Sequence, residues 1–206
     1  MALTTLPTAY GPVRGYVHEA PGAEAGAVMV GGVGNDVDGP GGSYVRLAEA
    51  LREDGCTTVR VSYARTGDLM RSVDDVLGAL DWLAQHGVGR SVLVGWSFGG
   101  AVVIAAGAGH GGVAGVATLA TQGYDTAQIQ SVAPRSLLLV HGTADSVLSW
   151  SISQSLHRVA RPPKRLELLD GAGHDIAGHE DRFESLVLEW AVPLLGIPPV
   201  RRAPTW

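Results

Sequence analysis

The stretch Gly95-Trp96-Ser97-Phe98-Gly99-Gly100, "GWSFGG", follows the apolar run 91–94 and sets one serine among three glycines. Glycine costs about 1 kcal/mol against alanine inside a helix, so such a cluster marks a backbone that other residues do not adopt. At the junction of a buried strand and a helix, a G-x-S-x-G sequence makes a sharp, strained turn whose small neighbours let the two arms pass closely. The turn lifts the Ser97 hydroxyl above the carboxyl ends of the strands, where open α/β sheets bind ligands, and aims the start of the next helix at it. There the helix dipole and the free N–H of Phe98 can stabilise an oxyanion.

The rest of the chain supplies the frame for that turn. Segments 13–18, 27–30, 58–62, 91–94, 116–119, 137–140 and 166–169 read as strands, most of them apolar on both faces, the pattern of a parallel sheet covered by helices. Between them, in "DLMRSVDDVLGALDWLAQHG" (68–87), Leu69, Val73, Val76, Leu77, Leu80 and Leu83 recur at helical steps, with Asp68 as the opening cap and Gly87 at the end. A further helix is expected over 44–54, with Ser43 as N-cap and Gly55 as C-cap. A last one carries the stripe Phe183, Leu186, Val187, Trp190 and Leu194. Segments 98–107 and 149–159 are less periodic helices, and 125–130 is a short helical candidate in a connection, 119–136, that leaves no room for a cap domain. At 206 residues the chain suits one domain, assigned to 1–195, followed by the proline-rich tail 196–206, "GIPPVRRAPTW".

Composition narrows the function classes. With 46% hydrophobic and 17% charged residues the chain is globular. A net charge of −5, with no basic cluster apart from Arg201 and Arg202, disfavours nucleic acid and anionic membranes as partners. The opening "MALTTLPTAYG" lacks a basic and an apolar targeting region, and no apolar run approaches the roughly 20 residues of a membrane span, so a cytoplasmic location is expected. Cys56 is the only cysteine, which leaves no internal disulfide and suits a small buried filler at a strand start. Schiff-base chemistry would rest on Lys164, the only lysine. The stretch "NDVDG" (35–39) lacks the glutamate of a calcium loop and the spacing of a dinucleotide loop, so it reads as turn chemistry, and neither metal nor cofactor is expected.

A serine hydroxyl needs a base within hydrogen-bond reach, and the base needs an orienting acid. "LLLVHGTAD" ends a strand and brings Asp145 to the same edge of the sheet, and "LELLDGAGHD" ends the next and brings His174, in the chain order that accompanies a serine elbow. His141, at a strand end, suits a structural hydrogen bond, and His179 a cap or surface place at the start of the last helix. Asp125 and Asp170 are the alternatives to Asp145.

In "GWSFGG", "HGTAD" and "GAGH" the sequence resembles the α/β-hydrolase superfamily, with agreement in element order from about residue 27 to 194. Within it, the chain is similar to the small lidless dienelactone-hydrolase-like and carboxylesterase members. The resemblance implies a mostly parallel twisted sheet flanked by helices without a cap domain, and Ser97 as nucleophile, His174 as base and acid, and Asp145 as its orienter. It also implies a second oxyanion N–H from the loop after strand 27–30, where the family usually reads H-G-x. Here the loop reads "VGGVGND" with Gly31 in the histidine's place, so register assigns Val33, beside Phe98, with Gly32 and Gly34 as alternatives. The expected reaction is cleavage of a small-molecule carboxylic ester, thioester or lactone through an acyl-enzyme on Ser97, without a cofactor. A non-hydrolytic receptor, lyase or acyltransferase on the same fold is the alternative. Gln122, Tyr124, Val147 and Trp150 lie on loops expected at the carboxyl edge and are expected to line the pocket, Trp150 serving equally well as a core residue of its helix. A cleft walled only by such loops is shallow and favours short-chain soluble esters.

Overall fold

The computed structural model describes residues 1–198. At one edge of its sheet, β1 (Ala2–Leu6) pairs antiparallel with β2 (Val13–His18), and β2 pairs antiparallel with β4 (Cys56–Ser62). Beyond β4 every pairing is parallel, through β3 (Ala25–Val30), β5 (Arg90–Trp96), β6 (Val113–Leu119), β7 (Ser136–Gly142) and β8 (Lys164–Leu169). The eight strands thus run in the order β1-β2-β4-β3-β5-β6-β7-β8. Parallel neighbours need crossovers, which here are α1 (Ser43–Glu53), α2 (Leu69–Gln85), α3 (Phe98–Gly107) and α4 (Ser151–Val159), with α5 (Glu180–Leu195) after the last strand.

The central strands bury both faces, and the alternation of their side chains divides the core in two. Val28 and Val30 of β3 and Leu93 of β5 pack with Val76, Leu80 and Leu83 of α2 and Val102 of α3. Ala27 and Met29 of β3 and Val92 and Val94 of β5 pack on the other face with Leu47 and Leu51 of α1 and Phe183, Leu186 and Val187 of α5. Helix α3 carries little periodicity because nearly all of it is buried, so it has no wet face to mark.

Several details differ from the expectations drawn from the sequence. Strand β1 was not foreseen: it lies at the sheet edge with only Leu6 buried, which leaves no alternation to read. Ser43 is the first residue of α1 rather than its cap; Gly42 takes that place in a left-handed conformation that serine would adopt only under strain. The 125–130 candidate is a 3-10 turn, Ala127–Ser131, inside the connection from β6 to β7. Asp68 does cap α2, accepting from the Arg71 N–H, and Gly87 follows its end with φ +88°. The expected tail from 196 lies, beyond residue 198, outside the described residues.

The order reverses at β3: the chain passes from β3 to β4 on one side and then to β5 on the other. The loops leaving β3 and β5 therefore diverge at their carboxyl ends and open a crevice, the usual ligand position in such sheets. Ser97 follows β5 directly, at that crevice.

Candidate active site

Ser97 links β5 to α3 with φ +57° and ψ −117°, a combination that costs an L-residue of order 1–3 kcal/mol. Close packing around it holds the strain. A Cβ on Gly99 would come within 2.5 Å of the Gly31 carbonyl oxygen and 2.7 Å of that of Val30, and one on Gly95 would run into the backbone of Gly99. Ser97 N–H donates to the Leu119 carbonyl of β6 at 2.9 Å, while its own carbonyl accepts from Gly100 N–H at 3.0 Å and Gln122 N–H at 3.3 Å. Both arms of the turn are thereby tied to the neighbouring loops.

His174 and Asp145 reach the serine from two loops that are laced together. Thr143 N–H donates to the Leu169 carbonyl and Ala144 N–H to the Ala172 carbonyl, at 2.9 and 3.0 Å. The Thr143 hydroxyl donates to Asp170 at 3.1 Å and accepts from Gly171 N–H at 2.8 Å, so Asp170 is engaged in joining the loops. Asp125, the other alternative acid, is an exposed residue with φ +61°. His174 Nε2 stands 3.1 Å from Ser97 Oγ, and its Nδ1 stands 2.8 Å from Asp145 Oδ2. A carboxylate facing Nδ1 accepts a hydrogen bond from the N–H there, leaving Nε2 bare to accept from the Ser97 hydroxyl.

The side chain of Asp145 is out of contact with solvent, and that of His174 is 17% exposed. Burial alone would push the Asp145 carboxyl up, but donors from Leu148 N–H, His174 and Val147 N–H outweigh it and hold the group below the usual carboxylate value. It therefore stays ionised opposite the imidazole. Trp96, the variable residue between Gly95 and Ser97, donates its indole N–H to the His174 carbonyl at 3.1 Å, and the two rings lie 5.6 Å apart. That brace was not foreseen, since nothing in the spacing of Trp96 and His174 links them.

Phe98 is the first residue of α3, so no helical carbonyl precedes its N–H, which points from the helix start beside Ser97. On the loop after β3, Gly32 lies against the serine: a Cβ there would meet Ser97 Cβ at 3.4 Å and Oγ at 3.7 Å. Val33 follows with its side chain 60% exposed. A side chain at Gly31, where the family resemblance expects histidine, would run into the Asp36 carbonyl because the loop folds back over it.

Near these groups a hollow of about 280 Å³ is lined by Gly123, Tyr124, Leu148 and Ile152. Of the four residues expected to line a pocket, Tyr124 does so here. Gln122 does not: its amide turns back to the Tyr124 carbonyl at 3.3 Å. Val147, an exposed residue, and Trp150, at the N-cap of α4, are not among its lining residues. The other lining residues, Leu148 from the loop before α4 and Ile152 from the first turn of α4, were not among those expected from the sequence. Among the described residues no group of three or more His, Cys, Asp or Glu side chains is placed to hold a metal ion, and no helix is long and apolar enough to cross a membrane.

No family model matches the chain. An uncharacterized protein, YfhR of Escherichia coli (strain K12), is 40% identical over 67 residues, 32% of this chain and 23% of that protein. The matched stretch thus spans less than a quarter of the curated relative. Among solved structures, Est1E from Butyrivibrio proteoclasticus superposes with a TM-score of 0.82 at 15% identity, covering 95% of this chain and 100% of that one. A dienelactone hydrolase from Anabaena variabilis ATCC 29413 gives 0.82 at 19% identity, covering 94% and 97%. XC6422 from Xanthomonas campestris, described as an α/β serine hydrolase without lid, gives 0.78 at 20% identity, covering 97% and 96%. Identities this low speak for architecture rather than for reaction. Strand order, serine turn and structural neighbours agree: the chain has the α/β-hydrolase fold.

Proposed function

We propose that the protein is a serine hydrolase that cleaves a carboxylic ester, thioester or lactone through an acyl-enzyme on Ser97. The observation that carries this reading is the unbroken line from Ser97 Oγ through His174 to Asp145, at 3.1 and 2.8 Å, set on a strained turn at a sheet crevice. A merely structural serine would have no use for such strain or for a base oriented by a buried acid. The names of structural neighbours, an esterase domain of a Rhodothermus marinus protein and a dienelactone hydrolase, support the ester and lactone classes.

In this reading Ser97 Oγ attacks the acyl carbon as His174 Nε2 takes its proton, and the ionised Asp145 offsets the charge on the imidazolium. The carbonyl oxygen, now negative, accepts from Phe98 N–H and from an amide of the loop after β3, Val33 by register with Gly32 adjoining. The carbon–oxygen or carbon–sulfur bond then breaks, and His174 returns the proton to the leaving alcohol or thiol. Water, deprotonated by His174, attacks the acyl-enzyme; the acid departs and Ser97 recovers its proton. Tyr124, 83% exposed, and the small hollow beside it suit a short acyl or alkyl group.

Replacing Ser97 with Ala is expected to remove turnover of aryl esters by several powers of ten and to abolish stoichiometric labelling by a fluorophosphonate. Undiminished turnover in that variant refutes the assignment, and an unlabelled wild-type serine favours a ligand receptor instead. Across an acyl-length series kcat/KM should fall beyond short chains, with no rise at the critical micelle concentration. A steady increase towards long chains would show a deeper binding site than the hollow provides.

A further inference from the structure

Behind the acid lies a second imidazole that this reaction scheme does not use. His141, the penultimate residue of β7, is fully buried, as is Ser153 on α4. Its Nε2 lies 3.0 Å from the Leu148 carbonyl oxygen and 3.2 Å from Asp145 Oδ2, while Nδ1 lies 2.7 Å from Ser153 Oγ. A carbonyl oxygen only accepts, so the nitrogen facing it carries the proton; in a neutral ring Nδ1 is then bare and accepts from the Ser153 hydroxyl. Burial, the largest influence on His141, lowers its proton affinity and outweighs the opposing pull of the Leu148 carbonyl and Asp145, so the ring is neutral. The titratable groups facing it are Asp145 and His174.

We propose that His141 is a positioning residue for the reaction: held as its Nε2–H tautomer by Leu148 and Ser153, it shares that one proton between the Leu148 carbonyl and Asp145 Oδ2, the same oxygen that accepts from His174. The role rests on the acyl-enzyme reading above. Asp145 Oδ1 accepts from Val147 N–H and Leu148 N–H, each at 2.8 Å. With His174 and His141 on Oδ2, the four acceptor sites of the carboxylate are filled, and it cannot turn from His174 without abandoning another donor. A neutral donor does this without facing Asp145 with a second positive charge, which would weaken its support of the His174 imidazolium. Ser153 thereby acts on the acid from α4, two hydrogen bonds away.

Nitrogen NMR of histidine-labelled wild-type protein reads the tautomer directly. His141 should be neutral and protonated at Nε2 between pH 7 and 8; an Nδ1–H tautomer or a doubly protonated ring there overturns the proposal without any variant. Two substitutions then test the role. His141→Gln keeps an amide donor within reach of Asp145, whereas His141→Leu keeps bulk and has none. In His141→Leu, kcat for an aryl ester should fall roughly ten- to a hundredfold while KM stays within about twofold, since His141 touches no substrate. His141→Gln should recover most of that loss. Wild-type kcat in a folded His141→Leu, or a Gln variant no better than Leu, overturns the proposal. Fluorophosphonate labelling of wild-type Ser97 separates the two readings: its absence overturns the acyl-enzyme and the positioning role together, while its presence with an indifferent His141→Leu overturns the positioning role alone.

Discussion

Replacing Gly99 with alanine puts the serine turn to a quantitative test. The new Cβ would stand 2.5 and 2.7 Å from the carbonyl oxygens of Gly31 and Val30, against the 3.0–3.4 Å that already counts as tight. Both obstacles are backbone at the end of a central strand, so neither can swing aside as a side chain would. Helix α3 must therefore move off the end of β3 by about 0.5 to 0.9 Å, the difference between the shorter contact, 2.5 Å, and that range. Overpacking of this kind costs about 1–3 kcal/mol, which for a chain of this length lowers Tm by about 2–4 °C per kcal/mol, or up to about 12 °C. The same movement carries Ser97 away from His174 Nε2, and a misplacement approaching 1 Å costs about a hundredfold in rate. Calorimetry and aryl-ester kinetics on the variant measure both effects. Gly89→Ala is the control, because its Cβ meets nothing within 4 Å and its φ is not left-handed; Tm and rate should be close to wild type. A Gly99→Ala protein with wild-type Tm and rate would refute the claim that close approach of α3 to β3 sets the serine.

Gly32→Ala should leave Tm nearly unchanged, since its Cβ makes ordinary contacts of 3.4 and 3.7 Å, yet lower kcat/KM at least about tenfold because the methyl stands beside the Ser97 hydroxyl; equal kinetics would place the substrate elsewhere. Burial, first among several influences, lowers the proton affinity of His18 and His141 below the ordinary 6.5, so the unfolded chain binds protons there before the folded one does. Stability is then full above about pH 6.5 and falls on acidification by at most about 1.4 kcal/mol per pH unit for each ring; denaturant titrations from pH 8 to 5 should show this, with a shallower slope in His141→Gln, and a stability that rises on acidification would contradict it. Cys56 is fully buried and its thiol is pushed up to about 12, chiefly by that burial, so a disulfide reagent at pH 8 should find no reactive thiol until the protein unfolds.

What the sequence made legible is what glycine, period and strand composition encode. The cluster around Ser97 announced a turn because close approach forbids a Cβ at Gly95 and Gly99, and a forbidden Cβ is written directly as glycine. The order of strands and helices was readable because β3 and β5 are apolar on both faces and α2 has one wet side. Contacts made between loops left no such trace. Trp96 braces His174 across 78 residues, and the His141–Ser153 bond behind Asp145 depends on how α4 lies against β7. His141 was assigned a structural hydrogen bond from its place at a strand end, but its partners belong to tertiary packing. The hollow beside Tyr124 is likewise made by tertiary packing: Leu148 comes from the loop before α4 and Ile152 from its first turn, which no local pattern in the sequence marks.

The loop after β3 shows how a departure from a family pattern can carry its own physical account. Read as a string, "NDVDG" is turn chemistry, and in the structure its side chains are anchors. Asn35, with φ +57°, donates its amide to the Ser62 hydroxyl and the Tyr63 carbonyl and accepts from Tyr63 N–H, at 3.0, 3.3 and 2.8 Å. Arg60, buried in β4, bonds Asp38 and the Val37 carbonyl and is steadied by His18 Nε2 at 3.2 Å. These bonds fold residues 35–38 over the strand end, and the Asp36 carbonyl then fills the space that a side chain at Gly31 would need. Histidine is thus excluded from the position where the resemblance expects it. Gly32, whose Cβ position lies against Ser97, is held there by this polar clamp on the far side of the loop, so no side chain at position 31 is required to hold it.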